Sequence, residues 1–162
     1  MYPEMKAIVA RAAHEPHTRA VIATCGLRKV WEKVLTRNGL SHVKVIGGGR
    51  LEDGYVVTGT TKGNIVDELH RKKLRVHAFG DSPLDIEMLE KADQAHVVVG
   101  DTASRSKSMD AALKNAITKG LDAHQIVLSA SESPRPDPTS LPRYKLNHAS
   151  LDLLFKRLLY TQ

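Results

Sequence analysis

RVHAFGDSPLDIEMLEKADQAHVVVG, residues 75–100, is the stretch on which the fold turns. An apolar run from Val76 to Phe79 stops at Gly80-Asp81, a segment with helical spacing follows, and a second apolar run covers Val97 to Val99. The order reads strand, acidic loop, helix, strand. Asp81 and Asp85 stand where the first strand ends and the helix begins. In open α/β sheets ligands bind at the carboxyl ends of strands, and paired carboxylates there can hold a divalent cation. Asp81 and Asp85 are therefore candidate metal ligands.

Working outward from that stretch, the same alternation continues. Upstream, Ile65, Val66 and Leu69 give one face to a helix over 62–72, with Thr60 and Thr61 as candidate caps. Lys62 opens this helix, where the macrodipole disfavours a cation, so it calls for a partner or a function. Residues 20–24, AVIAT, read as a buried strand ended by Cys25-Gly26. A helix over 28–37 follows, with Val30, Trp31, Val34 and Leu35 on its apolar face and Asn38-Gly39 as its stop. Val43 to Ile46 is the next strand. Gly47-Gly48-Gly49 lacks the GK[ST] of a phosphate loop and reads as a flexible crossing. Asp53-Gly54 marks a hairpin turn, with Tyr55 to Val57 as its return arm. The N-terminal residues 3–13 form a helix, with Pro3 at its start and Met5, Ile8, Val9 and Ala12 on one face.

Downstream, Pro83 sits just inside the helix that carries Ile86, Met88 and Leu89. A further helix covers 108–118, and 125–128 is a last short strand. Four prolines between Pro134 and Pro142 then exclude regular structure. Leu151, Leu154, Phe155, Leu158 and Leu159 return the pattern to an amphipathic helix. The chain thus divides into a core at 1–128, a proline-rich connection at 129–147 and a C-terminal helix at 148–162. Strands alternating with helices predict an α/β fold, a Rossmann-like three-layer α/β/α sandwich with a mostly parallel sheet and right-handed crossovers.

A chain of 162 residues that is 41% hydrophobic suits one globular domain with an aliphatic core. The formal charge of +6 favours anionic partners. The basic residues are scattered, and their longest cluster, Arg71-Lys72-Lys73, lies at a helix end where the dipole welcomes cations, so nucleic acid is not the expected partner. Cys25 is the only cysteine, which excludes an intramolecular disulfide and a thiolate zinc cluster. No run approaches the about 18 apolar residues of a membrane span, and the N-terminus lacks the pattern of a signal peptide. A soluble, cytoplasmic protein is expected.

Five segments, in the same order along the chain, resemble one family. AFGDSPLDIEML resembles the acidic magnesium motif of the haloacid dehalogenase-like phosphatase superfamily, nearest its phosphoserine-phosphatase-like branch. AVIATCG is similar to the strand that ends in a phosphate-binding Ser or Thr, here Thr24. GGRLEDGYVVTG is similar to the segment after the family's third strand, and TTKGNIVDEL to the segment with the catalytic lysine, here Lys62. YPEMKAIVARA resembles the helix before the Thr24 strand, so the resemblance covers about residues 2–101. It implies a phosphate site of Thr24, the Cys25 backbone and Lys62, a Mg²⁺ site of Asp81 and Asp85, and catalytic roles for Lys62 and Asp81. The chemistry is consistent with those residue types, because phosphoryl transfer needs positioning and charge stabilisation on the transferring oxygens.

The resemblance also implies a nucleophilic aspartate in an Asp-x-Asp pair at the end of a first strand, and a cap domain after it. No aspartate precedes Asp53 in this sequence. In the family that strand lies between the Thr24-type and Asp81-type strands. Three outcomes stay open: a fragment of a longer enzyme, a shortened gene product, or a sheet that closes by pairing the two neighbouring strands directly. The expected function is a Mg²⁺-dependent phosphomonoester hydrolase-like core without activity of its own, acting on a phosphorylated small molecule if active. A non-catalytic binding or interaction protein on the same fold is the alternative, and whether the chain is an enzyme stays undecided at this point. A homodimer through exposed edge strands or the Leu151–Leu159 stripe is a further expectation.

Overall fold

The computed structural model describes residues 1–48, 56–99, 107–128, 143–145 and 156. The turn at Asp53-Gly54, most of the proline-rich connection and nearly all of the C-terminal helix expected at 148–162 lie outside them. The chain divides into two compact units, Met1–Thr58 and Gly59–Gln162, so the boundary falls inside the core expected at 1–128.

The first unit runs α1 (Pro3–His14), β1 (Val21–Leu27), α2 (Arg28–Arg37) and β2 (Lys44–Gly48). β1 and β2 pair in parallel, from Val21 opposite Lys44 to Thr24 opposite Gly47. Val9, Leu35, Leu40 and Val43 form the core, with Ile22 and Val45 packed against it from the sheet. α2 stops where the sequence predicts. The Leu40 N–H reaches back to the Leu35 carbonyl and Gly39 N–H to Thr36, which satisfies carbonyls the last helical turn would otherwise leave open.

Four expectations for this unit need correction. β1 does not end at Cys25-Gly26: those two residues bulge and the strand resumes at Leu27. The AVIAT run is not a buried strand, because no residue of β1 is buried. Its apolar sequence reads as a central strand, yet among the described residues β2 is its one neighbour. Of the expected face of α2, Leu35 is buried but Val30 is 53% exposed. Gly47 and Gly48 belong to β2 rather than to a flexible crossing. A Cβ on Gly47 would stand 2.8 Å from Thr24 Cγ2 and 3.0 Å from Arg28 Cα, so glycine is what lets β1 and the start of α2 close on β2.

The second unit runs α3 (Gly59–Arg71), β3 (His77–Gly80), a 3₁₀ turn (Pro83–Asp85), α4 (Ile86–Lys91), β4 (Gln94–Val99), α5 (Lys107–Thr118), β5 (Ala123–Val127) and β6 (Arg143–Lys145). Its four strands pair in parallel in the order β3-β4-β5-β6. Side chains alternate across a strand, so one sheet face presents Ala78, Ala95, Val97 and Ala123 to Leu89 of α4 and to Met109 and Leu113 of α5. Small residues on the sheet and large ones on the helices interdigitate, which keeps the core dense. The other face carries Phe79, His96 and His124.

α3 begins at Gly59, so Thr60 and Thr61 lie inside the helix instead of capping it. β6 falls in the stretch read as an irregular connection. It starts one residue past Pro142, the last of the prolines, where the chain regains its backbone donors. Among the described residues β1 and β3 are assigned to different sheets. The architecture is the expected one in class, α/β and Rossmann-like with parallel pairing throughout. Among the described residues no helix is long and apolar enough to cross a membrane.

Candidate functional site

Lys62 is the fourth residue of α3, within a first turn that holds no acidic residue. A cation there opposes the helix dipole, and Lys62 is also buried, at 5% exposure. Asp85 resolves both costs. The Lys62 Nζ donates to Asp85 Oδ1 at 2.5 Å, and Asp85 is equally buried. An ammonium has three donors, so this ion pair still allows Lys62 to serve an anion.

The second oxygen of Asp85 closes the loop after β3. Its Oδ2 accepts the backbone N–H of Asp81 at 3.1 Å, the N–H of Ser82 at 3.0 Å and the Ser82 hydroxyl at 2.9 Å. The Asp85 N–H in turn donates to the Ser82 carbonyl at 2.9 Å. This is the reciprocal bonding that a Ser-x-x-Asp spacing offers at a helix start. Gly80 supplies the room, since a Cβ there would collide with the Asp85 side chain. The role of Ser82 was missed by sequence reasoning, although its spacing to Asp85 was a usable signal. Asp85 thus spends both oxygens on protein donors and acts on the loop.

Asp81 is arranged differently. It follows β3 directly and its side chain reaches the surface. Its carboxyl is nonetheless held above the usual aspartate value, first by loss of water to the surrounding loop and then by the Asp85 carboxylate. Its own backbone N–H and the Lys62 ammonium pull the other way. A carboxylate that is disfavoured but exposed is one poised to take a cation or a proton.

Thr24 and Cys25 belong to the first unit, and Lys62, Asp81 and Asp85 to the second. The Thr24 Oγ1 accepts the Gly26 N–H at 3.0 Å, which fixes the hydroxyl at the bulge and leaves its O–H to donate. Cys25 is half-buried beside it. A cleft of about 410 Å³ between α2 and β2, lined by Arg28, Ser41, His42 and Lys44 among others, does not include either residue.

Among the described residues no three histidine, cysteine or acidic side chains are grouped to hold a metal ion. With Asp85 saturated, Asp81 is the one open carboxylate of the expected pair. Mg²⁺ demands octahedral oxygen coordination, and a single open carboxylate falls short of such a site by itself.

Parallel strands alternate with helices in a Rossmann-like α/β core, with a lysine on one helix tied to the carboxylate of the loop after the next strand. A scan against known protein families matches residues 1–90 to the haloacid dehalogenase-like hydrolases. The match spans more than half of the 162 residues, and the chain belongs to that family. It is accordingly a hydrolase-type core. No curated protein and no solved structure matches the chain.

Proposed function

We propose that this chain is the phosphate-handling core of a phosphomonoester hydrolase, of the phosphoserine-phosphatase-like kind, that binds but does not turn over substrate by itself. The observation that carries the reading is the buried Lys62–Asp85 pair set beside the exposed Asp81 at the end of β3. Lys62 supplies positive charge to a phosphate oxygen, and Asp85 holds its ammonium in place. Thr24 adds a hydroxyl donor and the Cys25 backbone an N–H. These are the charge and dipole contributions that phosphoryl chemistry requires. Asp81 is the residue to which the Mg²⁺ of this reading belongs, with Asp85 positioning the loop rather than the ion. The reading gives Lys62 and Asp81 the catalytic roles of the family, and it lacks a nucleophile because no aspartate occurs before Asp53.

The test is hydrolysis of an aryl phosphate with Mg²⁺ by the purified chain and by Asp81→Asn, together with titration of inorganic phosphate followed by NMR. Phosphate-induced shifts that vanish in Lys62→Met, with no turnover in either protein, are expected. Turnover abolished by Asp81→Asn would make the chain an autonomous enzyme, and absence of phosphate binding would remove the reading. A non-catalytic interaction protein on the same fold is the second reading, and the exposure of β1 is what favours it.

A further inference from the structure

We infer that the apolar stripe Leu151, Leu154, Phe155, Leu158 and Leu159 covers the histidine-bearing face of the second sheet, as a segment of the same chain. That face carries Phe79 from β3, His96 from β4, and His124 and Ile126 from β5. Leu128 continues it just past β5, where its N–H still donates to the Val99 carbonyl at 3.1 Å. His96 is 4% exposed, Ile126 1% and Leu128 0%. α4 and α5 do not account for this burial, because they pack on the opposite face, against Ala78, Ala95, Val97 and Ala123. Parallel sheets are covered on both faces, so the histidine face calls for an element of its own.

Topology, chemistry and the helix itself select the C-terminal stripe. The strands lie in the order β3-β4-β5-β6, so each step crosses the sheet in the same direction. Right-handed crossovers that step one way return over one face, the face on which α4 and α5 lie. The step from β5 to β6 belongs to that face by the same rule. Chain beyond β6 is left for the other face, and the second unit runs to Gln162. The chemistry agrees. Neither ring nitrogen of His96 has a hydrogen-bond partner among the described residues. A polar cover would offer donors and acceptors to a buried imidazole, whereas the apolar side of a helix offers none. Lys156, the one described residue of the segment, is helical and exposed. At about 3.6 residues per turn it falls away from the stripe, so the helix turns its charge to water and its leucines inward. Phe79 stacks on His96 at 4.5 Å and stands two residues before Asp81, so the stripe backs the strand that leads into the candidate site.

The experiment records NOEs between methyl groups of the whole chain, and repeats them on a mixture of labelled and unlabelled chains to isolate contacts between molecules. NOEs within one molecule are expected from the leucines of the stripe to Ile126 and Leu128. Amide hydrogen exchange supplies the second measurement. Leu158→Asp puts a charge into the stripe and should speed exchange in β4 and β5 at least about tenfold. Lys156→Asp, at the exposed position two residues earlier, should leave it unchanged. Absence of those NOEs overturns the inference, as do NOEs found only between molecules, which would make the stripe a contact with a second copy. Exchange in β4 and β5 that ignores Leu158→Asp overturns it as well. If Leu158→Asp fails to fold, the NOEs of the unaltered chain decide by themselves.

Discussion

Asp81 and Asp85 are four positions apart and opposite in physical character. Asp85 is buried, holds Lys62 and accepts three further hydrogen bonds, so removing one partner leaves an uncompensated charge. Lys62→Met is expected to cost about 3–5 kcal/mol, read as a fall in the denaturant midpoint, and replacing both residues by apolar ones should cost less than the sum of the two single changes. Asp81 should respond in the other direction. Its folded pKa is raised, so the folded protein gains nothing from the ionised form, and the group's contribution to stability declines as pH rises from the unfolded value of 3.8 through the raised one. Asp81→Asn should therefore leave the thermal midpoint unchanged or higher at neutral pH, the signature of a residue kept for chemistry. A lower midpoint would contradict the assignment. The two roles were legible in the sequence only as a pair of acids. Which one is saturated depends on Lys62 and Ser82 arriving at the same carboxylate, and spacing does not specify that.

The strand-to-helix connections depend on contacts of the same kind. Asp93, at the exit of α4, accepts the Val76 N–H at 2.7 Å and pairs with His70 of α3 at 2.9 Å. Burial pushes its pKa up, but the Val76 N–H and His70 more than offset this and hold it below the usual value. The stabilisation is therefore present above the unfolded pKa and lost as pH falls through the depressed one. Asp93→Ala should cost about 1 kcal/mol, and slow exchange at Val76 should be lost with it. On the face of the second sheet opposite α4 and α5, His96 stacks on Phe79 at a centroid distance of 4.5 Å and lies 6.0 Å from His77 and 6.1 Å from His124. Neither nitrogen of His96 has a hydrogen-bond partner among the described residues. Burial first, then the two flanking imidazoles, lower its pKa to about 3. Unfolded chains take up that proton near 6.5, so this residue costs stability as pH falls from 6.5 toward 3. His96→Phe should move the acid-unfolding midpoint to lower pH and stabilise the protein at neutral pH by roughly 1 kcal/mol. Nothing in the sequence links these rings: the parallel register sets His96 beside Phe79 and His124, with His77 two residues back along β3, opposite Gln94.

At the scale of the molecule the α/β, Rossmann-like class read from periodicity holds, and among the described residues each of the two units has its own parallel sheet and its own buried cluster. Each core has its own fully buried residues. Leu113→Ala in the second should cost about 2–5 kcal/mol by cavity formation, measured by chemical denaturation, whereas Val30→Ala on the exposed side of α2 should change stability by less than about 0.5 kcal/mol. Periodicity placed α1, α2, α5 and the described strands up to β5 within a few residues of their observed ends, because amphipathic spacing is a local signal. It misjudged Val30 and the AVIAT strand, because burial depends on which neighbours a strand or helix receives.

The sequence by itself determined the α/β alternation, the family and the residue types at the strand ends, since each follows from patterns within a few turns of chain. Tertiary structure alone decided that Asp85 is consumed by Lys62 and the loop while Asp81 stays open, and that three histidines gather on one face of the second sheet. It also decided that β1, apolar as any central strand, has a single neighbour among the described residues. Those outcomes arise from pairing between segments distant in sequence, where register and burial, rather than local propensity, set the energy.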